Sequence, residues 1–296
     1  MKKYYNSRSI DLPTSFLVYL SDFIGRFRSP DLSRYADDFA YSKWQMANAM
    51  QDYETFYESL NAFAERTVLD LGCGDGGKTV YYSSKRPKII VGMDVDPEKV
   101  CRARQFSFHT RVENHCCFLT GDVTHCPFPS NSFDTVLSED CFEHYPNPEA
   151  VLHEAFRLVR PGGLFIASFI TYYASGGPHL YNFIRLPWPH LFFSDQTMIK
   201  ATRIIARQME EKYPKEQRRE TFTAQAEREI FQFQHFINKI TLARWRRLIK
   251  KQRGWRILID NAHCKSAKSP IFRLPVFKLP VLEELHNDVL YVLQKR

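Results

Sequence analysis

Apolar positions change their period along the chain. Phe16, Leu17, Leu20, Phe23, Ile24 and Phe27 recur at helical spacing until Ser29-Pro30-Asp31 breaks the pattern. A second helical stretch, about 35–63, carries Phe39, Trp44, Met46, Met50, Tyr53, Phe56, Tyr57 and Leu60. Short apolar runs of strand length follow: Val68-Leu69-Asp70-Leu71, Ile89–Met93, Cys116–Leu119, Thr135-Val136-Leu137 and Leu164–Ala167. Helical stretches separate them. The clearest runs from Pro148 to Val159, with Val151, Leu152, Ala155 and Phe156 on one face, and stops before Pro161-Gly162-Gly163. Strands alternating with helices predict a parallel sheet covered on both faces.

The alternation breaks between 171 and 253. A loop-like Tyr172–Pro178 leads into an aromatic-proline tract, Leu186–Phe193, after which Ser194 caps a helix carrying Met198, Ile199, Ile205 and Met209. Thr241–Arg253 sets Leu242, Trp245, Leu248 and Ile249 against a crowd of Arg and Lys. Strand-like runs return at 255–259 and 289–293, separated by a Pro-spaced tandem at 272–281 that cannot be helical. The chain thus divides into a helical cap (1–64), a sheet core (65–170), a helical insert covering the substrate (171–253) and C-terminal strands that complete the core (254–296).

Composition narrows the class. With 44% hydrophobic and 25% charged residues the chain is neither disordered nor fibrous, and no apolar run approaches the roughly 18 residues of a membrane span. The 7 cysteines include no Cys-x-x-Cys pair, which argues against a disulfide framework or a zinc site and for reduced thiols in the cytoplasm. No signal peptide is recognisable. The net charge of +8 is local, because 200–256 alone holds 16 Lys/Arg against 6 Glu. That segment offers a solvated helix face, or a surface for RNA, a protein or an anionic membrane.

Gly72-x-Gly74-x-x-Gly77 follows the first strand, and Asp94 ends the second, where a ribose is usually held. Asp70 changes the reading. A carboxylate two residues before the first glycine repels a pyrophosphate and attracts an ammonium or sulfonium. S-adenosylmethionine carries both and no phosphate. Asp122, after the third strand, is placed for an adenine amino group.

With these pieces the chain resembles the class I S-adenosylmethionine-dependent methyltransferases. The matching segments are VLDLGCGDGG (68–77), GMDVDPEKV (92–100), GDV (121–123), FDTVLSEDCFEH (133–144) and LVRPGGLFIAS (158–168). The resemblance implies an α/β Rossmann-like fold, a seven-stranded mostly parallel sheet with the last strand antiparallel. It implies S-adenosyl-L-methionine as cofactor, held by Asp70, Gly72, Cys73, Gly74, Asp94, Val95, Asp122, Val123 and Glu139. It implies an enzyme. Ser138-Glu139-Asp140-Cys141 replaces the Asp/Asn-Pro-Pro-Tyr-like tetrad of nucleobase amino-methyltransferases, and Cys126-Pro127 reverses the Pro-Cys of RNA cytosine enzymes. A small-molecule acceptor, methylated at oxygen, is the expectation, with an RNA or protein acceptor and a non-catalytic scaffold as rivals.

A hydroxyl acceptor must lose a proton, and His144 is the expected base. Asp140-x-x-Glu143-His144 resembles the metal-binding Glu-x-x-Glu-His of ubiquinone O-methyltransferases, but its first acid is a methylene shorter, so no metal is expected and the three residues stand only as weak metal candidates. In the insert, His179, Tyr181, Trp188 and His190 are the expected substrate contacts, with Asp195 a further candidate. Nucleic acid is not expected as a partner, and peripheral membrane contact stays open.

Overall fold

A computed structural model describes residues 10–25, 37, 39–48, 54–213, 220–261, 283–285 and 289–296. Phe27, Tyr35, Met50, Tyr53 and the 272–281 tandem lie outside the described residues.

Each strand-length run forms a strand: β1 Thr67–Leu71, β2 Ile89–Asp94, β3 Cys116–Thr120, β4 Phe133–Glu139, β5 Val159–Phe169, β6 Trp255–Asn261 and β7 Val289–Lys295. They make one sheet in the order β3-β2-β1-β4-β5-β7-β6. β7 runs antiparallel to both of its neighbours, and the pairs β1–β2, β2–β3, β1–β4 and β4–β5 are parallel. Every residue of β4 is buried, as a central parallel strand covered on both faces requires. The strand order reverses beside β1, so the carboxyl ends of β1 and β4 open a crevice where ligands of such sheets bind.

The helices start where short polar side chains satisfy their first amides. Asp96 caps α5 (Pro97–His109), Asn147 caps α6 (Pro148–Leu158), Ser194 caps α7 (Asp195–Lys212), Thr221 caps α8 (Phe222–His235) and Thr241 caps α9 (Leu242–Lys251). Pro97 and Pro148 occupy first-turn positions, where their missing N–H costs nothing. The remaining helices are α1 (Leu12–Gly25), α2 (Ala40–Asn48), α3 (Glu54–Ser59) and α4 (Gly77–Ser83).

Two apolar layers sandwich the sheet. One joins Val136 and Phe165 to Val151, Leu152 and Ala155 of α6 and to Trp245 and Ile249 of α9. The other joins Val68 and Ile90 to Tyr57 of α3, Val80 and Tyr82 of α4, and Val100 and Phe106 of α5. A third cluster stands apart, built from Leu17 and Val18 of α1, Leu180, Phe183 and Ile184, and the inner faces of α7 and α8. The helical segments therefore sort differently from their order in the chain. α1 packs with the insert, α3 packs on the sheet, and α9, at the end of the insert in sequence, is core. Among the described residues no helix is long and apolar enough to cross a membrane.

Candidate active site

The loop after β1 turns back on itself through three glycines with positive φ, Gly72 (+80°), Gly74 (+55°) and Gly76 (+77°). A Cβ on Gly72 would lie 2.6 Å from Cys141 Sγ and 2.9 Å from Tyr145 Oη, whereas one on Gly74 would meet nothing within 4 Å. Gly74 therefore presents bare backbone to open space. Its N–H donates to Asp94 Oδ2 (2.9 Å), and the Asp96 N–H donates to Asp94 Oδ1 (3.0 Å). Asp94 fastens the loop while standing at the carboxyl end of β2. Val95 beside it is 71% exposed, an apolar shelf at the mouth of the crevice. Cys73 and Val123 are buried beneath the loops. Asp122 is exposed, and the Thr124 N–H (2.8 Å) and hydroxyl hold its carboxyl below the usual range.

Asp70 is 4% exposed and accepts one hydrogen bond, from Thr79 Oγ1 at 2.6 Å. Burial pushes its carboxyl up to about 7, against the Thr79 bond, with Glu139 and Asp94 adding repulsion and Lys78 opposing it. A cationic ligand needs the ionised form. Cofactor affinity is therefore expected to rise about five- to tenfold between pH 6 and 7.5, and titration calorimetry should find that rise flattened in Asp70→Asn.

Glu139, expected at the cofactor, accepts a hydrogen bond at each oxygen from within the fold. Tyr57 donates to its Oε1 at 2.6 Å and Tyr82 donates to its Oε2, with Lys78 Nζ 3.7 Å away. Lys78 also pairs with Asp140 at 2.5 Å. Burial works against the Lys78 charge, but Asp140 and Glu139 outweigh it and hold the ammonium protonated. Sequence reading missed Lys78, although it directly follows the glycine loop.

The segment after β4 lies over the loop. Cys141 Sγ sits 3.2 Å from the Gly72 carbonyl, and Tyr145 Oη donates to the Leu71 carbonyl (2.9 Å). Asn238 ties it to the insert, donating from its side chain to the Phe142 and Tyr145 carbonyls (2.6 and 2.7 Å) and from its backbone to the Glu143 carbonyl (2.9 Å). No periodicity or motif marks Asn238 in the sequence.

This clamp brings together Glu143, His144 and His179. The His144 and His179 rings meet edge to face with centroids 4.8 Å apart, and His179 Nε2 lies 3.8 Å from Glu143 Oε1. Burial, with the Asp140 charge, pushes the Glu143 carboxyl up to about 8. Burial, with Lys99, depresses His144 to about 4, and burial, with His144, depresses His179 to about 3. Both imidazoles are thus neutral near pH 7. Among the described residues Glu143 Oε2 and His179 Nε2 are buried without a hydrogen-bond partner, which is costly unless a ligand supplies one. One donor atom from each of the three residues lies within 4.8 Å of the others, a set that could hold a metal ion. Asp140 is engaged by Lys78, so the acid that leads the sequence motif gives way to His179 from the insert.

The other insert candidates divide. Tyr181 approaches His179, with ring centroids 6.2 Å apart. His190 instead packs against Tyr172 and Tyr173 at 5.1 and 6.4 Å, where Lys239 covers the Tyr172 ring and lies 3.7 Å from Asp195. Half-buried Trp188 opens the short turn before His190 in a left-handed conformation.

Residues 69–167 match a family model described as a methyltransferase domain. With the sheet order, the antiparallel seventh strand and the glycine loop, this defines a class I S-adenosylmethionine-dependent methyltransferase domain. The chain is 33% identical over 166 residues to a sterol 24-C-methyltransferase of Pneumocystis carinii, covering 55% of this chain and 40% of that protein. It is 33% identical over 101 residues to an ajmaline N-methyltransferase of Rauvolfia serpentina, covering 34% of this chain and 35% of that protein. The chain thus spans well under half the length of these relatives. The crystal structure of an S-adenosylmethionine-dependent methyltransferase from Mesorhizobium loti shares the fold, with a TM-score of 0.53 at 13% identity over 84% of this chain and all of that one.

Proposed function

We propose that this protein transfers a methyl group from S-adenosylmethionine to an oxygen of a small-molecule acceptor bound between the sheet core and the insert. The observation that carries this reading is the pair of neutral imidazoles beside a buried carboxyl, with two polar atoms left for a ligand. The cofactor residues fit their group: buried Asp70 would face its cationic end, Gly74 offers bare backbone, and Asp94 and Asp122 stand at the carboxyl ends of neighbouring strands. When bound, S-adenosylmethionine supplies an electrophilic methyl on an excellent leaving group.

The chain's own residues then have to orient the acceptor and take its proton. His144, held neutral near pH 7 by burial, can accept the proton at an imidazole nitrogen. His179 Nε2 and Glu143 position the hydroxyl against it. The basic segment favours a small acceptor over RNA, because many of its cations are spent internally. Arg203 pairs with Glu227, Arg228 with Glu220, Arg246 with Glu283 and Asp260, and Lys251 with Glu149. Free thiols at the six described cysteines support a cytoplasmic setting.

The test is release of S-adenosylhomocysteine over a panel of hydroxylated metabolites, alongside cofactor binding by calorimetry. Turnover on a hydroxylated acceptor is expected. Cofactor binding without turnover on any hydroxylated, amino or activated-carbon acceptor would overturn the small-molecule reading. The three-donor set favours a second reading, in which a divalent transition metal activates the hydroxyl. Under the base reading EDTA leaves the rate unchanged. A loss restored by added Zn²⁺ or Mn²⁺ would replace it with the metal reading.

A further inference from the structure

Helix α5 starts beside the crevice, where Asp96, its cap, donates to Asp94, and it carries the chain about 20 Å away, at roughly 1.5 Å for each of its 13 residues. At that far end Phe39, Arg104, Gln105, Phe108, His109 and Arg111 surround an open hollow of about 710 Å³, a size that suits a small molecule. Its aromatic surfaces are fixed in place and face solvent. Phe108 is 72% exposed. The Phe39 ring stacks on His109 with centroids 5.1 Å apart at 28°, and it is seated from below by buried Phe106 at 5.6 Å.

The charges around the hollow are of one sign. Among the described residues Arg104 and Arg111 enter no ion pair, whereas Arg102 on the same helix is paired with Asp75 at 2.9 Å. Arg104 donates from Nε and Nη2 to the Phe118 carbonyl (3.2 and 2.7 Å), which fixes the guanidinium and leaves Nη1 for a ligand. The negative end of the helix is covered. The N–H groups of Thr110, Arg111 and Val112 donate to the carbonyls of Phe106, Phe108 and Ser107 (2.9, 3.1 and 3.0 Å). An anion in the hollow therefore meets cations and not bare carbonyls.

We propose that this hollow is a second binding site, separate from the crevice, for a small anion that carries a flat aromatic ring, either an aryl carboxylate or a nucleoside monophosphate. The ring lies against Phe108 and the Phe39–His109 stack, and Arg104 and Arg111 meet the carboxylate or phosphate. Gln105 adds a neutral amide that can donate or accept. S-adenosylmethionine, cationic at its sulfonium and ammonium, does not match this lining. The length of α5 also separates the hollow from the glycine loop, so its occupant is not the methyl acceptor.

The test is titration calorimetry of the full chain, saturated with S-adenosylhomocysteine so that the crevice is filled. The probes are naphthoate, adenosine monophosphate and the neutral naphthalenemethanol. Expected is binding of at least one of the two anions, about tenfold or more tighter than the neutral probe and weakened about tenfold or more in the Phe108→Ala/Arg111→Ala double variant. Tighter binding of naphthoate assigns the site to aryl carboxylates, and tighter binding of adenosine monophosphate assigns it to nucleotides. Both substituted side chains are exposed, and circular dichroism with cofactor calorimetry checks that the double variant is folded. Failure of both anions to bind, binding seen only in the absence of S-adenosylhomocysteine, equal binding of the neutral probe, or equal binding by the folded double variant would each overturn the proposal.

Discussion

His179→Ala is expected to bind S-adenosylmethionine as the parent does and to transfer methyl groups about 10²–10⁴-fold more slowly. The imidazole is absent from the set that lines the cofactor crevice, so calorimetric affinity has no reason to move. It stands against His144 and faces Glu143 across 3.8 Å, so under the proposed function its removal leaves the acceptor without a partner and the base without a wall. His190→Ala is the informative comparison, because that ring packs on Tyr172 and Tyr173 instead. Single-turnover rates on a saturating acceptor separate the two. A loss of less than about threefold in His179→Ala, or an equal loss in both variants, would remove His179 from the site.

Trp245→Ala is expected to cost about 3–5 kcal/mol of folding stability, a large share of the roughly 5–15 kcal/mol that holds a typical domain. The side chain is fully buried and touches the segment after β4 and strands β5 and β7, with ring centroids 4.7 Å from Phe142, 5.1 Å from Phe169 and 5.7 Å from Tyr291. The void would open behind Phe142, next to Glu143, so activity should fall with stability. Its Nε1 has no hydrogen-bond partner among the described residues, so Trp245→Phe keeps most of the packing and removes an unsatisfied donor. It should therefore cost far less. Urea denaturation of both variants decides the matter, and a cost below about 1 kcal/mol for Trp245→Ala would contradict the core assignment of α9.

The glycine loop and the acids beside it were legible because their geometry is local. A glycine that must adopt positive φ, a carboxylate buried at a strand end and an acid at the end of the next strand each act within a few residues of the backbone that positions them. Their spacing along the chain therefore reports their spacing in the crevice. Glu139 adds partners that the local sequence does not show. Its place at the end of β4 is local, but its partners Tyr57 and Tyr82 come from α3 and α4, and only their convergence reveals that each of its oxygens accepts a hydrogen bond.

The proposed acceptor half is assembled across long separations. Glu143 and His144 follow β4, His179 sits beyond β5, and Asn238, which locks them, arrives almost a hundred residues after Glu143. Nothing in the period of apolar residues encodes such a meeting. Of His179, Tyr181, Trp188 and His190, all plausible by residue type, contacts connect His179 to the pair and Tyr181 to His179, while His190 turns to another aromatic group. The same holds for packing. The apolar stripe of Thr241–Arg253 predicted a buried face without saying what it faces, and the tertiary structure seats Trp245 in the sheet core and α1 on the insert. By itself, then, the sequence determined the order of strands and helices, the sheet class and the cofactor loop, because periodicity and turn chemistry act between near neighbours. Which helix covers which surface, and which distant side chains meet Glu143 and His144, was decided only by the tertiary structure, because burial and hydrogen bonding there are satisfied by residues far apart in the chain.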